Sequence, residues 1–85
     1  MMKIQKMKDD IKIIFTKHAF RKLRQRNIKQ KFVSETILCP EKLITNEGDK
    51  YYAFKKYGKL YLKVVFKRIG KVIIVITQYL TEKTQ

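Results

Sequence analysis

The sequence predicts an α+β fold in two layers: one strand and two helices, then a meander of three or four antiparallel strands. Three observations predict it. The apolar period is near 3.6 residues from Thr16 to Cys39 and falls to 2 after Pro40. Residues 72–76, Val-Ile-Ile-Val-Ile, form the longest purely apolar run, which is the length of a strand and far short of a bilayer span. The chain of 85 residues is 45% hydrophobic and 12% aromatic, enough for one core and outside the disordered class despite a formal charge of +14.

Residues 1–9 read as a loosely docked lead-in, and residues 10–85 as a single domain. Residues 10–16 alternate Ile11, Ile13 and Phe15 against Lys12 and Ile14, the pattern of a strand. Thr16 is placed to cap a helix over residues 17–26, whose apolar stripe is Ala19, Phe20 and Leu23, with Asn27 suited to its C-terminal turn. A second helix is expected over residues 30–39, with Phe32, Val33, Thr36 and Ile37 at helical spacing. It starts poorly, because Lys29 stands where a capping hydroxyl or carboxylate belongs, and Pro40 stops it. Cys39 reads as a small buried residue at its apolar end.

Residues 42–46 and 50–56 read as a hairpin about the turn 47–49. After a turn at Tyr57-Gly58, residues 59–68 form the clearest strand, with Leu60, Leu62, Val64 and Phe66 on one face and Tyr61, Lys63, Val65 and Lys67 on the other. Ile69-Gly70 turns the chain into a last strand over residues 71–80. Its continuous apolar run implies cover on both faces, by helices on one side. The other cover is the lead-in, a protein partner, or a second copy of the chain in a homodimer.

The charge is uneven. Residues 1–34 hold eleven bases and two acids, net +9; residues 35–54 hold two bases and four acids, net −2; residues 55–85 hold eight bases and one acid, net +7. Two acid-free blocks, 11–34 and 50–81, make a positive face that attracts polyanions. The competing reading is a solvated surface biased toward lysine, with 17 Lys against 4 Arg. One Cys and one His exclude a disulfide framework and a zinc or His-rich metal centre, so no metal or other cofactor is expected. The first ten residues lack an apolar core of signal-peptide length, and a reducing, cytoplasmic setting without membrane contact follows as the default.

His18, Lys22 and Arg26 are spaced four apart, so they stack into a basic ridge beside the apolar stripe, while Lys17, Arg21 and Arg24 point outward. His exchanges a proton near neutral pH, and Lys and Arg hold phosphate. The competing reading has His18 capping the helix start and Arg26 tying down its end.

The run FTKHAFRKLRQRNI, residues 15–28, resembles the opening of a family of small microbial proteins associated with the RelE/ParE-like toxin superfamily. Members show His-Ala, Arg four residues after the His, Arg four further on, then Gly-Ile. Here stand His18-Ala19, Lys22, Arg26 and Asn27-Ile28. The likeness continues in GKLYLKVVFKR (58–68) and VIIVITQY (72–79). Lys22 departs from the usual Arg and Lys29 from the usual Ser cap. The resemblance implies a RelE-like fold, metal-independent cleavage of messenger RNA, and neutralisation by an acidic antitoxin.

Such cleavage deprotonates a 2′-hydroxyl, stabilises charge on the phosphate and protonates the leaving oxygen. His18 is the candidate base or acid, and Tyr79 the candidate for positioning substrate or donating a late proton. Arg26, Arg68 and Lys63 would steady the phosphate, with Lys22 as a further phosphate contact. Basic and aromatic residues also interleave from Tyr51 to Arg68, a pattern that stacks unpaired bases while lysines follow the backbone. Phe54 and Phe66 are assigned to the core, and Tyr61, sharing a face with Lys63, is the best stacking candidate. The leading reading is a RelE-like toxin nuclease; the runner-up is a non-catalytic RNA- or DNA-binding module, and the third is an interaction protein using an open sheet face.

Overall fold

In a computed structural model, which describes residues 11–45 and 48–84, the chain runs β1 (Lys12–Phe15), α1 (Lys17–Gln25), α2 (Gln30–Leu38), β2 (Lys42–Thr45), β3 (Lys50–Tyr57), β4 (Leu60–Ile69) and β5 (Val72–Thr81). The expected lead-in, Asp10 of the first expected strand, Asn46 of the expected strand 42–46 and Glu47 of the expected turn 47–49 lie outside the described residues. The fold is α+β, with two helices and a five-stranded, mostly antiparallel sheet in the order β1-β5-β4-β3-β2. The meander β2 to β5 is antiparallel throughout, and β1 joins its far end parallel to β5, with Ile13 opposite Ile73 and Phe15 opposite Val75.

Local chemistry fixes the helix ends. The Thr16 hydroxyl accepts the Ala19 amide at 3.0 Å and donates to the Ile76 carbonyl at 3.3 Å, so the cap of α1 also ties it to β5. At the other end Asn27 takes φ 56°, and the Ile28 and Asn27 amides reach back to the Leu23 and Arg24 carbonyls. That is a Schellman turn with Asn in the left-handed position. The start of α2 has no side-chain cap at Lys29.

Both helices lie on one face of the sheet. Ala19 and Leu23 of α1, and Val33 and Ile37 of α2, close over Ala53, Leu62, Val64, Phe66, Ile73 and Val75. Two residues depart from their expected burial. Phe20 is 50% exposed, because Ala19 and Leu23 take the centre of the contact and Phe20 sits on its flank. Cys39 is exposed, because α2 ends at Leu38 and Cys39 follows its last packed turn. The apolar run of β5 alternates: Ile73 and Val75 are buried in the core, and Val72, Ile74 and Ile76 are half-buried. Among the described residues no helix is long and apolar enough to cross a membrane.

Candidate nucleic-acid interface

Opposite the helices the sheet presents a face on which no element packs among the described residues. None of the five strands contains an aspartate or glutamate, so the strands give this face no acidic side chain; at its edge Glu41 accepts the Lys56 amide at 3.4 Å. Register sorts its residues into rows. Tyr79, Lys63, Phe54 and Lys42 lie side by side across β5, β4, β3 and β2. One row away lie Thr81, Tyr61 and Lys56, and on the other side Thr77, Val65, Tyr52 and Ile44. Successive rows are about 7 Å apart along the strands.

A bulge aims Tyr79 onto this face. Val65 pairs with Thr77 but Phe66 pairs with Val75, leaving Ile76 as an extra residue in β5. Without it, Ile73, Val75, Thr77 and Tyr79 would share one face. With it, Ile73, Val75 and Gln78 turn to the core and Thr77 and Tyr79 turn away.

Lys63 is the centre of the face. Its ammonium lies 4.5 Å from the centroid of the Tyr52 ring, 5.5 Å from Tyr79 and 5.7 Å from Phe54. Three π faces converge on one cation, which is held by the quadrupoles rather than by a carboxylate. Phe54 is buried, as expected, but on this face and outside the helix-side core cluster. Lys56 stands 5.9 Å over Tyr61 in the next row.

Arg26 reaches the same place from the helix layer. Strand β1 ends opposite Val75, so beyond that point β5 is an edge. There Arg26 Nη1 donates to the Gln78 carbonyl at 2.8 Å, and its guanidinium carbon lies 5.8 Å from the Tyr79 centroid. Gln78, fully buried, secures the junction from inside by donating Nε2 to the Ala19 carbonyl at 2.9 Å. Sequence reasoning passed over Gln78; its one signal is a polar residue at the end of an apolar strand.

The structure therefore brings Arg26, Lys63 and Tyr79 together, with Tyr61 one row away. It places the other candidates elsewhere. His18 is exposed in the first turn of α1, about 12 Å along the helix axis from Arg26 at roughly 1.5 Å per residue. Lys22 donates to the Gln25 side chain at 3.0 Å. Arg68 points to the helix side at the far end of β4, where its Nε donates to the Gly70 carbonyl. Phe66 stacks on Tyr51 in the core, centroids 5.3 Å apart. Among the described residues no three His, Cys, Asp or Glu side chains stand close enough to hold a metal ion.

Residues 15–84 match a family described as a domain of unknown function (DUF4258). Neither a curated protein nor a solved structure matches the chain.

Proposed function

The chain belongs to the DUF4258 family, and from that premise we propose that it binds single-stranded RNA across the open face of its sheet. The observation that carries this reading is the lysine held among three aromatic rings on an acid-free sheet. Unpaired bases stack on exposed π faces and phosphates follow the lysines, whereas a duplex keeps its base faces covered. Lys42, Lys56, Lys63 and Lys67 supply the phosphate contacts on this face, and Tyr52, Tyr61 and Tyr79 the stacking surfaces.

Fluorescence anisotropy with a short labelled RNA, single-stranded and then annealed to its complement, tests it. The single strand should bind more tightly, and Tyr79→Ala or Tyr61→Ala should weaken it by about 1–3 kcal/mol. Equal binding of strand and duplex, indifferent to both substitutions, would sink the proposal.

A second reading is favoured by the meeting of Arg26, Lys63 and Tyr79. In it the domain is a RelE-like toxin that cleaves messenger RNA in the cytoplasm without a metal and is held in check by an acidic antitoxin. The order of strand, two helices and antiparallel meander suits that assignment. A 2′-oxygen would attack the adjacent phosphorus, forming the 2′,3′-cyclic phosphate as the bond to the 5′-oxygen breaks. The 2′-hydroxyl proton passes to a base, and a second proton passes to the departing oxygen. Arg26 and Lys63 would steady the phosphorane charge and Tyr79 would donate the second proton. Single-turnover cleavage should then fall with Tyr79→Phe and Lys63→Ala. His18→Ala separates the variants of this reading: a loss as large as that of Tyr79→Phe places the start of α1 in the reaction, and no loss removes it.

A further inference from the structure

A second cationic surface lies on the helix layer. Phe15 at the end of β1 and the cap residue Thr16, with Lys17, Phe20, Arg21, Arg24 and Gln25 of α1, line an open cavity of about 550 Å³. Phe20 is 50% exposed on its wall. Lys17, Arg21 and Arg24 fall on one stripe of the helix, at spacings of four and three residues, and Phe20 lies one turn from Arg24. All three cations are exposed, and none has an ion pair or hydrogen bond to a described residue. The segment 11–34 contains no acid that could neutralise them.

From this we infer that the groove beside α1 docks an acidic protein segment that presents one apolar anchor side chain to Phe20 and Phe15 and carboxylates to Lys17, Arg21 and Arg24. Charge alone would not place such a partner, because a chain of +14 attracts anions to every side. The exposed phenyl ring among arginines does place it. An apolar anchor gains by covering Phe20, and guanidinium groups donate paired hydrogen bonds to carboxylates. An unpaired base also stacks on a phenyl ring, so single-stranded RNA is the competing occupant. One exposed ring flanked by three cations, in place of the rows of rings on the open sheet face, favours a polypeptide with a single apolar anchor between carboxylates. Since α1 lies on the helix side of the sheet, a partner here leaves the open face uncovered. The inference does not rest on that face binding RNA.

The probe is a short, blocked, fluorescein-labelled helical peptide with one leucine flanked by glutamates a turn away on either side. Titrated with the full chain at moderate salt, it should bind, and replacing its leucine by serine should weaken binding about tenfold. Phe20→Ala in the protein should do the same, and Arg21→Ala with Arg24→Ala should weaken it further. Lys63→Ala should leave peptide binding unchanged, because Lys63 stands on the other side of the sheet. Binding that ignores both the leucine and Phe20, or that disappears with Lys63→Ala, would overturn the inference. So would displacement of the peptide by a short single-stranded RNA that itself loses affinity with Phe20→Ala. Failure of RNA to bind the open face, with peptide binding intact, would count against the proposed function alone.

Discussion

Single side chains hold the two layers in register. Gln78 is fully buried, and while its Nε2 bonds to the Ala19 carbonyl, its Oε1 has no partner among the described residues. An unmatched buried acceptor costs about 1–3 kcal/mol, similar to what the amide's own hydrogen bond returns. Gln78→Met, which removes both at similar volume, is therefore expected to stay within about 1 kcal/mol of the parent in urea denaturation. Gln78→Glu should be clearly less stable, since it sets a carboxylate against the same carbonyl. Tyr57 ties β3 to α2. Its one hydroxyl proton lies between two acceptors, the Glu35 carboxylate at 3.1 Å and the Phe32 carbonyl at 3.3 Å, and its ring packs 4.9 Å from that of Phe32. Burial, and then the neighbouring Glu35 carboxylate, push its pKa above the usual 10.0. The unfolded chain then releases the phenolic proton first, so Tyr57 stabilises the fold fully below pH 10 and loses that contribution as pH rises through the folded-state pKa. Tyr57→Phe should cost about 0.5–1.5 kcal/mol at neutral pH. Its deficit should shrink in strongly alkaline buffer, and denaturation across pH measures both effects.

At the scale of elements, α1 sets what reaches the open face, because its C-terminal turn delivers Arg26 to the edge of β5. That turn depends on Asn27 at φ 56°. Asn27→Gly should preserve stability, whereas Asn27→Ala should cost about 1 kcal/mol and loosen Arg26, lowering RNA affinity in the same assay. The ends of α1 were legible in the sequence because a Thr cap and an Asn turn are local chemistry, and the succession of helices and then meander strands along the chain followed from the change of period at Pro40. Long-range choices were not. The parallel pairing of β1 with β5 leaves no local mark, and it is what leaves the second half of β5 open to Arg26. The bulge at Ile76 hides inside a run that is apolar at every position, where a shift of face changes no residue type. Lys63 and Tyr79 stood out separately, but their meeting depends on that bulge. Phe20 looked like core because a helical wheel gives its angle and not which neighbours occupy the centre of the contact.

The whole molecule carries its charge almost unopposed. Its cations are steadied on the open face by aromatic rings, and in the groove beside α1 the arginines and Lys17 have no described partner at all. At a separation of 10 Å in water, two such charges repel by about 0.4 kcal/mol, and a domain 36 × 30 × 26 Å across holds many such pairs. Each is small and their sum is not, so folding must work against self-repulsion that a polyanion or dissolved salt relieves. Two opposite salt responses follow. Thermal stability of the free protein should rise as sodium chloride is added, because the Debye length shrinks to about 10 Å at 0.1 M and the repulsion is screened. Affinity for single-stranded RNA should fall over the same range as bound phosphates lose their advantage over counterions, with a log–log slope of about −0.7 per phosphate contacted. Lys63→Ala should reduce that slope by about one contact, whereas Tyr79→Ala should lower affinity and leave the slope unchanged. Measured together, the two slopes separate charge spread over the molecule from charge placed at the site. If Lys63→Ala shifts affinity without changing the slope, its ammonium serves the aromatic rings and not the RNA backbone.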